Sequence, residues 1–319
     1  MDFVDFTAGS DDNDRRLDKV IRIFASNLPL TEIYKAIRKG LIKVNDKKSS
    51  QSAHVKKGDK ISIAKFLIQD KKEENSTSTP LEKLPPVIFQ NKDLIIFNKP
   101  YNLLVQPNGT DEISLNTIVQ AFYEQKKDHD SISFKTGPLH RLDKKTSGLI
   151  CFSWSLDGAK WFTKNIIDHK ITKKYRGIIQ GNLQKEEIWE DYISKEFEKD
   201  KKFQTVKIQK KEQTNAFTKV TPLAHGKYND TEITYVEFDI KTGKTHQIRA
   251  QSSFHGYPLL GDTAYKAKKQ NMEREYFLHA YELCFPPNEL ALPPKITCPL
   301  SKDFGDLVLK TCDIKNFSL

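Results

Sequence analysis

The stretch Pro138-Leu139-His140-Arg141-Leu142-Asp143-Lys144-Lys145-Thr146-Ser147-Gly148-Leu149-Ile150-Cys151-Phe152 sets one carboxylate among cations and small polar residues just before an apolar strand. Opposite charge close by favours the ionised form of an aspartate, and an ionised carboxylate serves as nucleophile, base or charge stabiliser. The same residues also suit a loop aspartate that caps the turn into a strand at 149–152. The flanking chain has to choose between the two.

Upstream, 87–89 and 94–97 read as strands of a hairpin around the turn Asn91-Lys92-Asp93, leading into Asn98-Lys99-Pro100. A helix is predicted from N-cap Ser114, with Leu115, Ile118, Val119 and Phe122 at helical spacing. Downstream, a helix begins near Ser155 with Ala159, Phe162 and Ile166 on one side, and a strand follows at 175–179. A charged excursion spans 185–213, read only as surface hairpins. Strands at 216–223 and 233–240 come next, with Val236, Phe238 and Ile240 inward. Many strands and few helices predict an α+β fold with a mixed, largely antiparallel sheet rather than a doubly wound one.

The N-terminal part reads separately. Residues 1–14 look like an acidic leader. Leu17, Val20, Ile21 and Phe24 form an apolar helical stripe opposite Arg15, Arg16, Lys19 and Arg22. A second helix is expected from N-cap Thr31, with Ile33 and Ile37 inward and Arg38-Lys39 ahead of Gly40 at its end. Strands at 41–44 and 60–63, with turns at Asn45-Asp46 and Lys57-Gly58-Asp59, complete a small α/β unit over 15–68. The polar, aperiodic segment 69–86 reads as a linker, and 87–319 as the large domain.

Composition narrows the function classes. A 319-residue chain of net charge +10 and pI near 9.1 favours a polyanionic partner, although a lysine-rich solvated surface carries the same charge. Cys151, Cys284, Cys298 and Cys312 lack the close pairing of zinc sites and read as reduced thiols in a cytoplasm. No apolar run approaches the ~18 residues of a membrane span. No phosphate-binding glycine loop, metal cluster or nicotinamide fingerprint occurs, so no metal, no small-molecule cofactor and no redox step are expected.

His140-Arg141-Leu142-Asp143 followed by Thr146-Ser147-Gly148-Leu149 closely resembles the signature of the RluA-type pseudouridine synthases. Lys174-Tyr175-Arg176 resembles that family's second motif, and Thr242-Gly243-Lys244-Thr245-His246-Gln247-Ile248-Arg249 with Pro258-Leu259-Leu260-Gly261-Asp262 its third. Phe277-Leu278-His279-Ala280 and Leu283-Cys284-Phe285-Pro286 look like its closing segment, so the likeness runs from about Val87 to the C-terminus. Residues 15–65 resemble the S4 RNA-binding domain, with Arg15, Arg16, Lys19, Arg22, Arg38 and Lys39 as its phosphate-gripping cations.

The resemblance implies the pseudouridine synthase fold, a bent mixed sheet with a central cleft. It implies an isomerase with Asp143 as nucleophile, Arg249 as its cation and Tyr175 stacked on the uracil, with Leu278 on the base's other side. Arg141 would fill the gap left by a flipped uridine, His140 would give support, and Lys244, His246 and Gln247 would also face substrate. Gly148 and Gly243 fit points of backbone turning or close approach. Gln106 and Lys244 depart from the family's common His and Arg. The S4-containing arrangement is most similar to the RluC branch, which implies large-subunit ribosomal RNA or its assembly intermediates as substrate; the alternatives are tRNA as substrate, or a non-catalytic RNA-binding assembly factor, and the protein is expected to be a monomer. Read without the resemblance, Arg249 is a cation on a short helix from His246, and Tyr175 an ordinary strand residue.

Overall fold

The computed structural model describes residues 1–23, 25, 28–68, 81–126, 131–197, 205–209 and 211–313. Phe24 of the expected apolar stripe, positions 69–80 of the expected linker, and 198–204 and 210 of the excursion lie outside these residues. The chain forms two units, one of residues 1–84, 117–137 and 155–157, the other of residues 85–116, 138–154 and 158 onward.

The first unit holds β1 (Phe3–Thr7), β2 (Arg15–Arg16), α1 (Leu17–Ile21), α2 (Leu30–Lys39), β3 (Ile42–Val44), β4 (Lys47–Lys48), β5 (His54–Val55) and β6 (Lys60–Ala64). Its antiparallel sheet runs β1-β6-β3-β4, and β2 pairs with β5. Leu17, Val20, Ile21, Ile33 and Ile37 meet Ile42, Ile61 and Ile63 in one core, which is where the helical stripes point. Gly40 ends α2 at φ +73, and Asn45 and Asp46 both take positive φ, as a two-residue hairpin turn requires.

Three expectations change here. Residues 1–14, read as a leader, contribute β1 to the sheet, because Phe6 packs on the core while Asp5 and Thr7 face out. Asp12 is buried and its carboxylate accepts the backbone N–H groups of Gly9, Ile132 and Ser133. Pro29, not Thr31, precedes α2; Thr31 lies exposed in its first turn. Arg15 and Arg16 lie in β2 rather than on a helix face.

The second unit is built on β7 (Val87–Gln90), β8 (Leu94–Lys99), β9 (Ser147–Ser153), β10 (Thr172–Gln180), β11 (Glu187–Phe197), β12 (Val206–Gln209), β13 (Ala216–Tyr228), β14 (Thr231–Ile240), β15 (Leu278–Cys284) and β16 (Lys295–Thr297). Its helices are α4 (Leu156–Ile167), α5 (Gln247–Phe254) and α6 (Lys302–Thr311), while α3 (Leu115–Gln125) falls mostly in the first unit. The ten strands form one sheet in the order β12-β11-β13-β14-β10-β15-β9-β8-β7, with β16 on β15. Every described pairing is antiparallel except β9 with β15, so the mixed, largely antiparallel sheet expected from the sequence is the one observed. The charged excursion forms the antiparallel ribbon β11-β12.

The parallel pair depends on Gly148. At φ +106 it sits opposite Ala280, and a Cβ there would stand 2.3 Å from the Ala280 carbonyl oxygen and 2.6 Å from its nitrogen. Backbone on both sides leaves no flexible atom to yield. Gly148→Ala is therefore expected to lower the unfolding free energy by about 3 kcal/mol or more, measured by urea denaturation; a loss under about 1 kcal/mol would contradict this packing.

Candidate active site

Three neighbouring strands, β10, β15 and β9, bring distant segments to one cavity of about 410 Å³. Asp143 lies in the loop that feeds β9, and the loop closes on itself through the Thr146 N–H to the Asp143 carbonyl at 3.0 Å. Lys99, at the end of β8, is fully buried and donates from Nζ to the carbonyls of Pro100, Leu103 and Lys144 at 3.0, 2.9 and 3.1 Å. Burial pulls the Lys99 pKa down to about 7, against the pull of the Asp143 charge. This lysine stitches the Asp143 loop to the sheet.

Arg249, on α5, faces Asp143 with Nη1 at 3.8 Å from Oδ2. Its two-pronged bond goes elsewhere: Nε and Nη2 donate to the buried Asp262 at 2.7 and 2.9 Å. The rings of Tyr276 and Tyr265 lie 4.5 and 4.8 Å from the guanidinium. Burial works against its charge, but Asp262, Tyr276 and Asp143 outweigh burial and raise its pKa. Arg249 is thus a permanent cation, fixed by Asp262 and turned toward Asp143 beyond hydrogen-bond length. The expected pair meets, while the partner that fixes the arginine was missed.

His246 precedes α5 at φ +52, with Nε2 3.8 Å from Asp143 Oδ1 and Nδ1 2.9 Å from the Tyr265 hydroxyl. Burial lowers its pKa despite the Asp143 charge, so the ring is neutral near pH 7. The Tyr265 oxygen also accepts the Val206 N–H at 3.0 Å, which ties the ribbon strand β12 to the site. His140 accepts the Cys151 N–H on Nε2 at 3.1 Å and stacks on Phe162. Burial and the Lys173 charge push its pKa to about 3, so it is neutral, with its proton on Nδ1.

Tyr175 and Leu278 are buried and line the cavity. Burial and the Asp143 charge raise the Tyr175 pKa, so its phenol keeps its proton. Arg141 and Lys244 are exposed along the same cavity. Gln247 departs from expectation. Its Oε1 accepts from Thr242 and the Lys244 N–H, and its Nε2 donates to Phe217 and Thr218, so its amide is committed to shaping the 242–247 loop rather than to substrate.

In the first unit, two expected phosphate contacts are already engaged. Arg15 donates to Ser133, and Arg16 pairs with the buried Asp18 at 2.8 Å. Lys19, Arg22, Arg38 and Lys39 are exposed. Sequence reading also missed Lys173, Tyr265 and Tyr276. Asp262 had a signal, since it closes a quoted motif and a buried arginine needs an acid; the tyrosines had none.

The family described as RNA pseudouridylate synthase matches residues 93–254. The ribosomal large subunit pseudouridine synthase C of Rickettsia conorii is 32% identical over 84% of this chain and 88% of its own length. The tRNA pseudouridine synthase C of Vibrio parahaemolyticus is 30% identical over 62% of this chain and 83% of its own. Among solved structures, human RNA pseudouridylate synthase domain containing 4 superposes with a TM-score of 0.56 at 21% identity, covering 70% of this chain and 92% of that one, which supports the likeness in fold.

Proposed function

Because the chain belongs to the RNA pseudouridylate synthase family, we propose that its cavity isomerises uridines of large-subunit ribosomal RNA to pseudouridine with Asp143 as nucleophile. The observation that carries this reading is the carboxylate of Asp143, facing Arg249 and His246 at 3.8 Å each beside the buried Tyr175. The reaction breaks the bond from N1 to C1′, turns the uracil and rejoins it through C5. Asp143 either attacks C1′ or induces elimination; in both cases the base leaves with the electrons of its N1 bond. C5 then bonds to C1′, the C5 proton is lost and N1 regains one, so the sum is an isomerisation.

The distances suit that task. A carboxylate in a two-pronged bond with arginine would have its lone pairs engaged. Here Arg249 gives those bonds to Asp262, leaving Asp143 the cation's field without a hydrogen bond from that arginine to break. Tyr175 stays a neutral phenol whose ring can stack on uracil through its rotation, with Leu278 opposite. A paired uridine must leave its helix to reach Asp143, and exposed Arg141 would occupy the gap.

Support for large-subunit RNA comes from the Rickettsia conorii relative's name, while the net charge of +10 suits either RNA. We assign residues 15–68 of the first unit as an S4-like RNA-binding domain that grips phosphates with Lys19, Arg22, Arg38 and Lys39. The Vibrio parahaemolyticus relative's name favours tRNA as the second reading. Purified protein is therefore given unmodified transcripts of the cell's large-subunit RNA and of its tRNAs, and pseudouridine is mapped on each. Sites on the large-subunit transcript are the expected result; sites confined to tRNA would replace it.

A further inference from the structure

Strand β10 treats its cations differently on its two faces. On one, Lys174 Nζ pairs with Glu237 and Glu282 at 3.3 and 3.5 Å, and Arg176 pairs with Glu237 at 3.0 Å. On the other, Lys173 and Tyr175 lie two residues apart in unbroken register with β14, and both line the cavity. Lys173 is only 7% exposed, yet among the described residues no hydrogen bond or ion pair reaches its ammonium. Burial alone acts on its pKa, lowering it, so the charge of Asp143 does not compensate it. Gly243 leaves it uncovered, because a Cβ there would stand 3.3 Å from Nζ.

A lysine ammonium taken from water without a counter-charge costs several kcal/mol. A neutral uracil carbonyl offsets little of that, whereas a phosphodiester brings a full negative charge, and every nucleotide that enters the cavity on an RNA chain carries one. Tyr175 and Lys173 are about 6.6 Å apart along the strand, a separation on the scale of that between a nucleotide's base and its phosphate. We propose that Lys173 binds a phosphodiester flanking the flipped uridine, as a substrate-binding residue of this cavity. The inference rests on the reading of the cavity as the uridine site.

The test compares the full chain with Lys173→Met on the same transcripts, measuring turnover and, separately, RNA binding across a salt series. One lost phosphate contact should make the slope of log affinity against log salt shallower by about 0.7. It should raise KM about tenfold at moderate salt with kcat within a few-fold of wild type. Lys173→Gln, which keeps length and polarity, should show the same slope change; it stands in if Lys173→Met does not fold. An unchanged slope with either variant would overturn the assignment, since a merely structural lysine leaves counterion release untouched. The binding series decides this even if the wild type modifies no transcript, a result that would instead overturn the reading of the cavity.

Discussion

Asp143→Asn is expected to lower the rate of pseudouridine formation by on the order of 10⁴-fold or more while leaving the protein folded. The amide keeps the shape of the side chain and removes the charge that attacks or deprotonates. The carboxylate's contacts with Arg249 and His246 are both 3.8 Å, and its side chain is 28% exposed, so losing them costs little stability, within about 1 kcal/mol. Rate and unfolding free energy measured on the same preparation separate the two effects. A variant that keeps more than about a tenth of the wild-type rate would remove Asp143 from the chemistry.

Arg249→Met is expected to fail in both respects. Asp262 is 2% exposed, and among the described residues Arg249 supplies both of its charge-assisted hydrogen bonds. Deleting the cation leaves a buried carboxylate without a partner, at a cost of about 3–5 kcal/mol. The field facing Asp143 disappears at the same time. Asp262→Asn added to Arg249→Met relieves the orphaned charge, so it should recover part of the stability and none of the activity, which assigns the two losses to two different acids. Arg249→Lys should fall between, because an ammonium keeps charge but cannot bridge both oxygens of Asp262. Recovery of full activity in the double variant would mean that the arginine only builds the fold.

Much of this arrangement is visible in the sequence because local patterns carry it. The stripe of Leu17, Val20 and Ile21, the hairpin of β7 and β8, and the alternation of Val236, Phe238 and Ile240 depend on short-range periodicity, and the structure forms the hairpin and buries the stripe, the apolar residues of β8 and the alternating residues of β14. Asp143, Tyr175 and Arg249 were legible through motif strings and meet at one cavity. What was not legible depends on partners far away in sequence. Nothing beside Arg15 shows that Ser133, 118 residues on, engages it. Nothing beside Gln247 shows that Phe217 and Thr218 take its amide. The acidic look of residues 1–14 hid a strand, because Asp5 and Thr7 face outward while Phe6 packs inward. Lys173 stood next to Lys174 and near Arg176, and only the sheet's two faces distinguish those paired cations from Lys173.

The most direct test of the central claim is a pseudouridine map of total ribosomal RNA and tRNA from cells lacking this protein, complemented with wild type or with Asp143→Asn. The expected result is that specific large-subunit sites disappear, return with wild type, and stay absent with Asp143→Asn. Sites restored equally by both proteins, or a map unchanged by the deletion, would contradict the account.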